Sequence, residues 1–110
     1  MLSIILSCIF FLGSDPKSDL PDPCEIYGKV YFSPDPRQAD FSVYVEETES
    51  FADVIVFEEA NALYADRAGH WSTVPNRGMA DVYIYLERNR SLADFSIYYT
   101  DYESFAGCNR

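Results

Sequence analysis

Apolar and polar residues alternate with a period of two in a unit that recurs through most of the chain. In Ala39-Asp40-Phe41-Ser42-Val43-Tyr44-Val45 one face carries Ala39, Phe41, Val43 and Val45, and the other carries Asp40, Ser42 and Tyr44. Such alternation predicts a short strand with two distinct faces. Ala52-Asp53-Val54-Ile55-Val56-Phe57, Ala80-Asp81-Val82-Tyr83-Ile84-Tyr85-Leu86 and Ala93-Asp94-Phe95-Ser96-Ile97-Tyr98-Tyr99 are sister copies. The aromatic anchors Tyr31, Tyr44, Phe57, Trp71, Tyr85 and Tyr98 lie 13, 13, 14, 14 and 13 residues apart, so the chain beyond Cys24 reads as six copies of one element.

Two copies diverge. The first, Gly28-Lys29-Val30-Tyr31-Phe32, opens on a glycine and runs into a connector stiffened by Pro34 and Pro36. The fourth, Ala65 to Val74, breaks the alternation at Gly69 and inserts a residue before Trp71. The other connectors, such as Glu46 to Ser50, Glu87 to Ser91 and Thr100 to Ser104, are polar, and each ends in an apolar residue just before the next Ala. Glu58 to Arg67 holds strong helix formers and predicts a turn or two of helix. The expected fold is mainly β, with six short strands joined by irregular or short helical connectors. A period of 13 suits a small solenoid or a barrel of short strands, and the pattern does not choose between them.

Upstream, Met1 to Leu12 is an apolar run too short to span a bilayer as a helix, which needs about 20 residues. With Gly13-Ser14 behind it, residues 1–14 read as a signal-like segment, although no Lys or Arg precedes Lys17. Either the true start lies upstream or the run is a retained anchor. Ile5-Leu6-Ser7-Cys8 is a poor match to a lipoprotein box, and Cys8 reads as a cysteine inside an apolar run. Residues 15–23, with Pro16, Pro21 and Pro23, form an extended linker, and the domain spans residues 24–108. Secretion or membrane tethering is expected, and a cytoplasmic location if the first segment is not a signal.

Composition sharpens the picture in two ways. A 48% hydrophobic and 16% aromatic chain excludes disorder. Eighteen acids against eight bases, a formal charge of -10, repel phosphate backbones and anionic lipid. No nucleic-acid partner is expected, membrane contact is confined to an uncleaved first segment, and the expected state is a monomer.

Cys24-Glu25-Ile26-Tyr27-Gly28-Lys29-Val30-Tyr31, the repeated Ala-Asp-x-x-Val/Ile-Tyr/Phe units, Gly69-His70-Trp71 and Ser104-Phe105-Ala106-Gly107 together resemble the septoil-knot domain family, over about Cys24 to Cys108. The resemblance implies a small β-rich fold whose backbone traces a deeply knotted torus path with seven crossings, against the general tendency of chains to avoid knots. It implies no activity that transfers residue by residue.

The chemistry of the unit is mostly structural. Alanine lets two segments pass closely without the backbone entropy of glycine. Asp40, Asp53, Asp66, Asp81 and Asp94 can accept backbone N–H groups and fix the bend into each strand. Stacked carboxylates for Ca²⁺ are the alternative, but no Gly-rich acid loop supports it. The aromatic series is expected to fill a second apolar layer, with sugar stacking as the alternative. Val30, Val43, Val56, Ile84 and Ile97 are core candidates.

His70 is the only histidine, with neither a second His nor a Cys pair to complete a zinc site. No metal, cofactor or catalytic residue is expected. The leading functional expectation is a non-catalytic, stable module. The alternatives are a glycan- or peptide-binding module using exposed aromatics, with His70, Trp71 and Tyr85 as ligand-binding candidates, and an enzyme pairing His70 with a repeat Asp. Cys24 and Cys108 bracket the domain and can pair in an oxidising compartment, or remain two buried thiols. Asn89-Arg90-Ser91 fits the glycosylation pattern and matters only in a secreting eukaryote.

Overall fold

Each Ala-Asp unit leads into a strand, because the alternating β-branched and aromatic residues that follow it cover both faces of a pleated segment. In the computed structural model, which describes residues 20–109, these are β1 (Gly28–Phe32), β2 (Phe41–Val45), β3 (Val54–Glu58), β4 (His70–Thr73), β5 (Val82–Leu86) and β6 (Phe95–Thr100). A two-residue β7 (Gly107–Cys108) adds to the six expected. The signal-like segment, Cys8 and the linker before Leu20 lie outside the described residues.

The strands run in the order β4-β1-β5-β2-β6-β3, and β3 pairs with β4, so six parallel strands close into a barrel. The chain first places β1, β2 and β3 at alternate positions round the ring. On a second circuit it places β4, β5 and β6 in the gaps. The closing ladder between β3 and β4 is short, Phe57 opposite His70 and Glu58 opposite Trp71. β7 fills the rest of that seam, pairing antiparallel with Val54 and Ile55. A barrel, and not a solenoid, is the outcome because closure leaves none of the six strands an unpaired edge.

The connectors between the six parallel strands cross back along the filled barrel, and every connector carries one 3₁₀ turn, from Pro36–Gln38 to Glu103–Phe105 before the antiparallel β7. Helix-forming residues between β3 and β4 yield only the single turn Ala62–Tyr64, which starts at an Asn61 side chain accepting from the Leu63 N–H and ends at Ala65. Helix propensity loses here because nucleation is costly and only three residues lie between those two stops. The apolar residue before each Ala is the last of its turn, and Phe51, Tyr64, Met79, Leu92 and Phe105 are exposed there. Among the described residues no helix is long and apolar enough to cross a membrane.

Inside the barrel, Val30, Phe41, Val43, Val54, Val56, Trp71, Val82, Ile84, Phe95 and Ile97 form one core, with Ile26 closing it and the Phe41 and Phe95 rings edge-to-face at 5.4 Å. Tyr31, Tyr44, Phe57, Tyr85 and Tyr98 are half-buried on the opposite face of their strands. Arg90 lies 5.3 Å above the Tyr44 ring, and Arg77 covers the neighbouring Tyr83 at 4.5 Å. Connector arginines thus roof the outer aromatics, contacts that strengthen as water is excluded.

The repeat aspartates hold neighbouring strands in register. Asp40 donates its N–H to the Tyr83 carbonyl at 2.7 Å while its Oδ2 accepts the Tyr83 N–H at 2.9 Å. Asp53 pairs with Ser96, Asp81 with Lys29, and Asp94 with Ser42 in the same two-point manner. The acceptor role matches expectation, but its partner lies 43 or 52 residues away instead of in the local bend. Gly28 follows from this: a Cβ there would sit 2.7 Å from the Asp81 carboxylate that holds Lys29. Asp66, in the divergent fourth copy, makes no such bond among the described residues. Asp40→Ala is therefore expected to lower stability by about 1–2 kcal/mol, the scale of a charge-assisted bond, and Asp66→Ala by less than about 0.5 kcal/mol. Urea unfolding midpoints check this, and equal losses at both positions would show that the two-point bonds do not stabilise the barrel.

Candidate functional site

The fourth copy, where the aspartate pattern lapses, gathers the polar side chains that the repeat does not explain. From the repeat Asp to the anchoring aromatic is four residues in Asp40–Tyr44, Asp53–Phe57, Asp81–Tyr85 and Asp94–Tyr98, but five in Asp66–Trp71. In a strand, one extra residue moves a side chain to the other face. Trp71 accordingly points into the barrel, 2% exposed, with its Nε1–H donating to the Ile26 carbonyl at 3.1 Å. His70 takes the place that an aromatic holds in the other copies, beside Phe57 with ring centroids 5.6 Å apart.

His70 is as buried as Trp71 and has a carboxylate against it, Nδ1 to Glu59 Oε2 at 2.7 Å. Glu59 follows β3, and its backbone N–H donates to the Trp71 carbonyl, so β3 and β4 are tied at the seam by main chain and side chain together. Glu103, on the turn after β6, brings a third group. One ligand atom from each of Glu59, His70 and Glu103 lies within 4.8 Å of the others. Arg67 approaches Glu103 at 3.8 Å, with both side chains largely exposed. A cleft of about 400 Å³ opens over His70 and Glu103, lined also by Arg67, Ala68, Ser104 and Ala106. A carboxylate on one imidazole nitrogen fixes the ring, and the set of one nitrogen and two carboxylates suits proton transfer or a divalent cation. No hydrogen bond joins Ser104 to His70 among the described residues.

Of the three ligand-binding candidates, only His70 belongs to this cleft. Trp71 has no face free for stacking, which corrects the expectation of an exposed platform around it. Tyr85 lines a separate cleft of about 450 Å³ with Phe32, Ser33, Pro34, Leu86 and Arg88. The carboxylate beside His70 is Glu59 and not a repeat Asp. Glu59 and Glu103 escaped the sequence because both sit in connectors that resemble the solvated turns of other copies, such as that of Glu47 and Glu49. Glu46 is buried, 2.7 Å from Arg90, with its Oε2 lacking a hydrogen-bond partner.

Cys24 and Cys108 are joined by a disulfide, with Cα atoms 4.7 Å apart, so the end of the chain is tied to the segment that leads into β1. No curated protein and no solved structure matches the chain. The family model of the 7(1) septoil knot domain matches residues 23–109. That span holds the whole barrel, its seam and both bonded cysteines, and two circuits of the chain round one ring are consistent with the torus path of the family's description: the chain belongs to the septoil knot domain family.

Proposed function

We propose that the protein is an exported, non-catalytic module whose role rests on the persistence of its fold. The observation that carries this reading is the Cys24–Cys108 bond, which closes a chain that circles its own barrel twice. Joined through the disulfide, the path becomes a covalent ring, and a torus knot in it cannot be undone by threading an end. Disulfides persist in oxidising compartments, which agrees with the signal-like apolar run Met1 to Leu12 as a cleaved signal or a retained tether. An interior filled by side chains and a charge of -10 favour a soluble monomer without nucleic-acid partners.

The reading is tested on protein recovered from a secreting host, by alkylation without reduction followed by intact-mass measurement. No alkyl group at Cys24 or Cys108 is expected. Two alkylated thiols at these positions would overturn both the closed ring and the argument for export.

A further inference from the structure

We propose that Glu59, His70 and Glu103 form a site for a first-row divalent cation, with Zn²⁺ as its natural probe. The Glu59–His70 pair alone needs no metal, because it completes the seam between β3 and β4 much as the repeat aspartates complete the other ladders. Glu103 is what that structural role leaves unexplained. It comes from the last connector and brings a second carboxylate to a seam already tied, at the mouth of a cleft.

The geometry fits zinc after small movements. Bonds of about 2.0–2.1 Å in a tetrahedron place neighbouring ligand atoms roughly 3.3 Å apart. The Nδ1 to Oε2 contact of 2.7 Å has to open by about half an ångström. Glu103 has to close a gap of at most 4.8 Å, which its exposed side chain can do once Arg67 swings away from a screened surface pair. Three protein ligands leave a fourth position, and the cleft over His70 gives it room for water or a small anion. One imidazole with two carboxylates suits zinc better than calcium, which takes 6–8 oxygens.

Calorimetric titration of the oxidised protein with ZnCl₂, and the visible spectrum with CoCl₂ in its place, test the proposal. One equivalent is expected to bind, with a cobalt spectrum of low coordination number. Glu103→Gln should weaken binding by about tenfold or more without changing the metal-free melting temperature, whereas Glu47→Gln, at an exposed acid elsewhere, should leave binding unchanged. Absence of binding at millimolar zinc, or equal weakening by both variants, overturns the site and marks any uptake as general attraction to an acidic surface. Neither result bears on the thiol measurement, so the proposed fold-based role stands or falls separately.

Discussion

Replacing Cys24 and Cys108 together by Ser lowers the unfolding free energy by about 4–5 kcal/mol, the largest single loss expected in the protein. The bond closes a loop across a sequence separation of 84 residues. In the chain-entropy account a loop of that size restricts the unfolded chain by about 4.5 kcal/mol. A domain of this length buries a limited core, and the whole stability of such a domain is about 5–15 kcal/mol. The bond therefore supplies a large share of it, and the melting temperature should fall by the order of 20 °C. Chemical denaturation of the oxidised protein and the double Ser variant measures the difference, with the slope against denaturant reporting the more expanded unfolded state of the variant. A loss below about 1 kcal/mol would mean that the ring adds nothing to the barrel's own packing.

Much of this fold was legible. Period-two alternation located five of the strands, with the Ala-Asp pair standing just ahead of the strand in four of them, because each buries one face against the same core, and the branched residues Val30, Val43, Val56, Ile84 and Ile97 all fell inside it. The ring order was not legible, for a physical reason: near-identical copies offer near-identical pairing surfaces. Nothing local tells Asp40 that its partner is Tyr83 and not the equivalent residue of another strand. Trp71 shows the opposite case. The inserted residue before it was visible, and parity alone reverses its face, yet its spacing of 14 from Phe57 and from Tyr85 placed it among the outward aromatics. Glu59 and Glu103 were hidden because acids in turns are ordinary, and only the closing of the ring brings residues from the third and last connectors to one point.

The seam explains why the irregular features coincide. Five of the six barrel junctions repeat a ladder of three or four residue pairs, while β3 and β4 share two. Here the first circuit passes into the second, so the step round the ring is one position instead of two, while Phe57 and its outward counterpart His70 keep the 13-residue spacing and the extra length falls between Asp66 and Asp81. Beside the short ladder, β7 and the Glu59–His70 contact complete the junction, while the Trp71 Nε1–H and the Gly69 N–H, the latter at 2.9 Å, donate to the Ile26 carbonyl and tie β4 to the segment before β1. Substitutions at the seam should therefore cost more than the same substitutions within the regular copies.

Gly69→Ala is the sharpest form of that expectation and should destabilise by more than about 3 kcal/mol. Gly69 has φ of +82°, a region that costs an L side chain about 1–2 kcal/mol. Its added Cβ would also lie 2.4 Å from the Gly107 nitrogen and 2.9 Å from the Ala106 carbonyl carbon, both backbone atoms that cannot rotate away. Relief requires shifting β7, which loosens its pairing with Ile55 and pulls on Cys108. Two other glycines separate the contributions. Gly107→Ala, at φ of +121° with nothing within 4 Å, carries the conformational penalty alone, about 1–3 kcal/mol. Gly78→Ala, in open space on the Arg77–Met79 turn, should be neutral or stabilising by up to about 1 kcal/mol, because alanine restricts the unfolded chain. Thermal and urea unfolding of the three oxidised variants should rank them Gly69, Gly107, Gly78 in order of loss. If Gly69→Ala lies within experimental error of Gly107→Ala, the close approach of β7 to the turn before β4 contributes nothing, and the seam is looser than the distances imply.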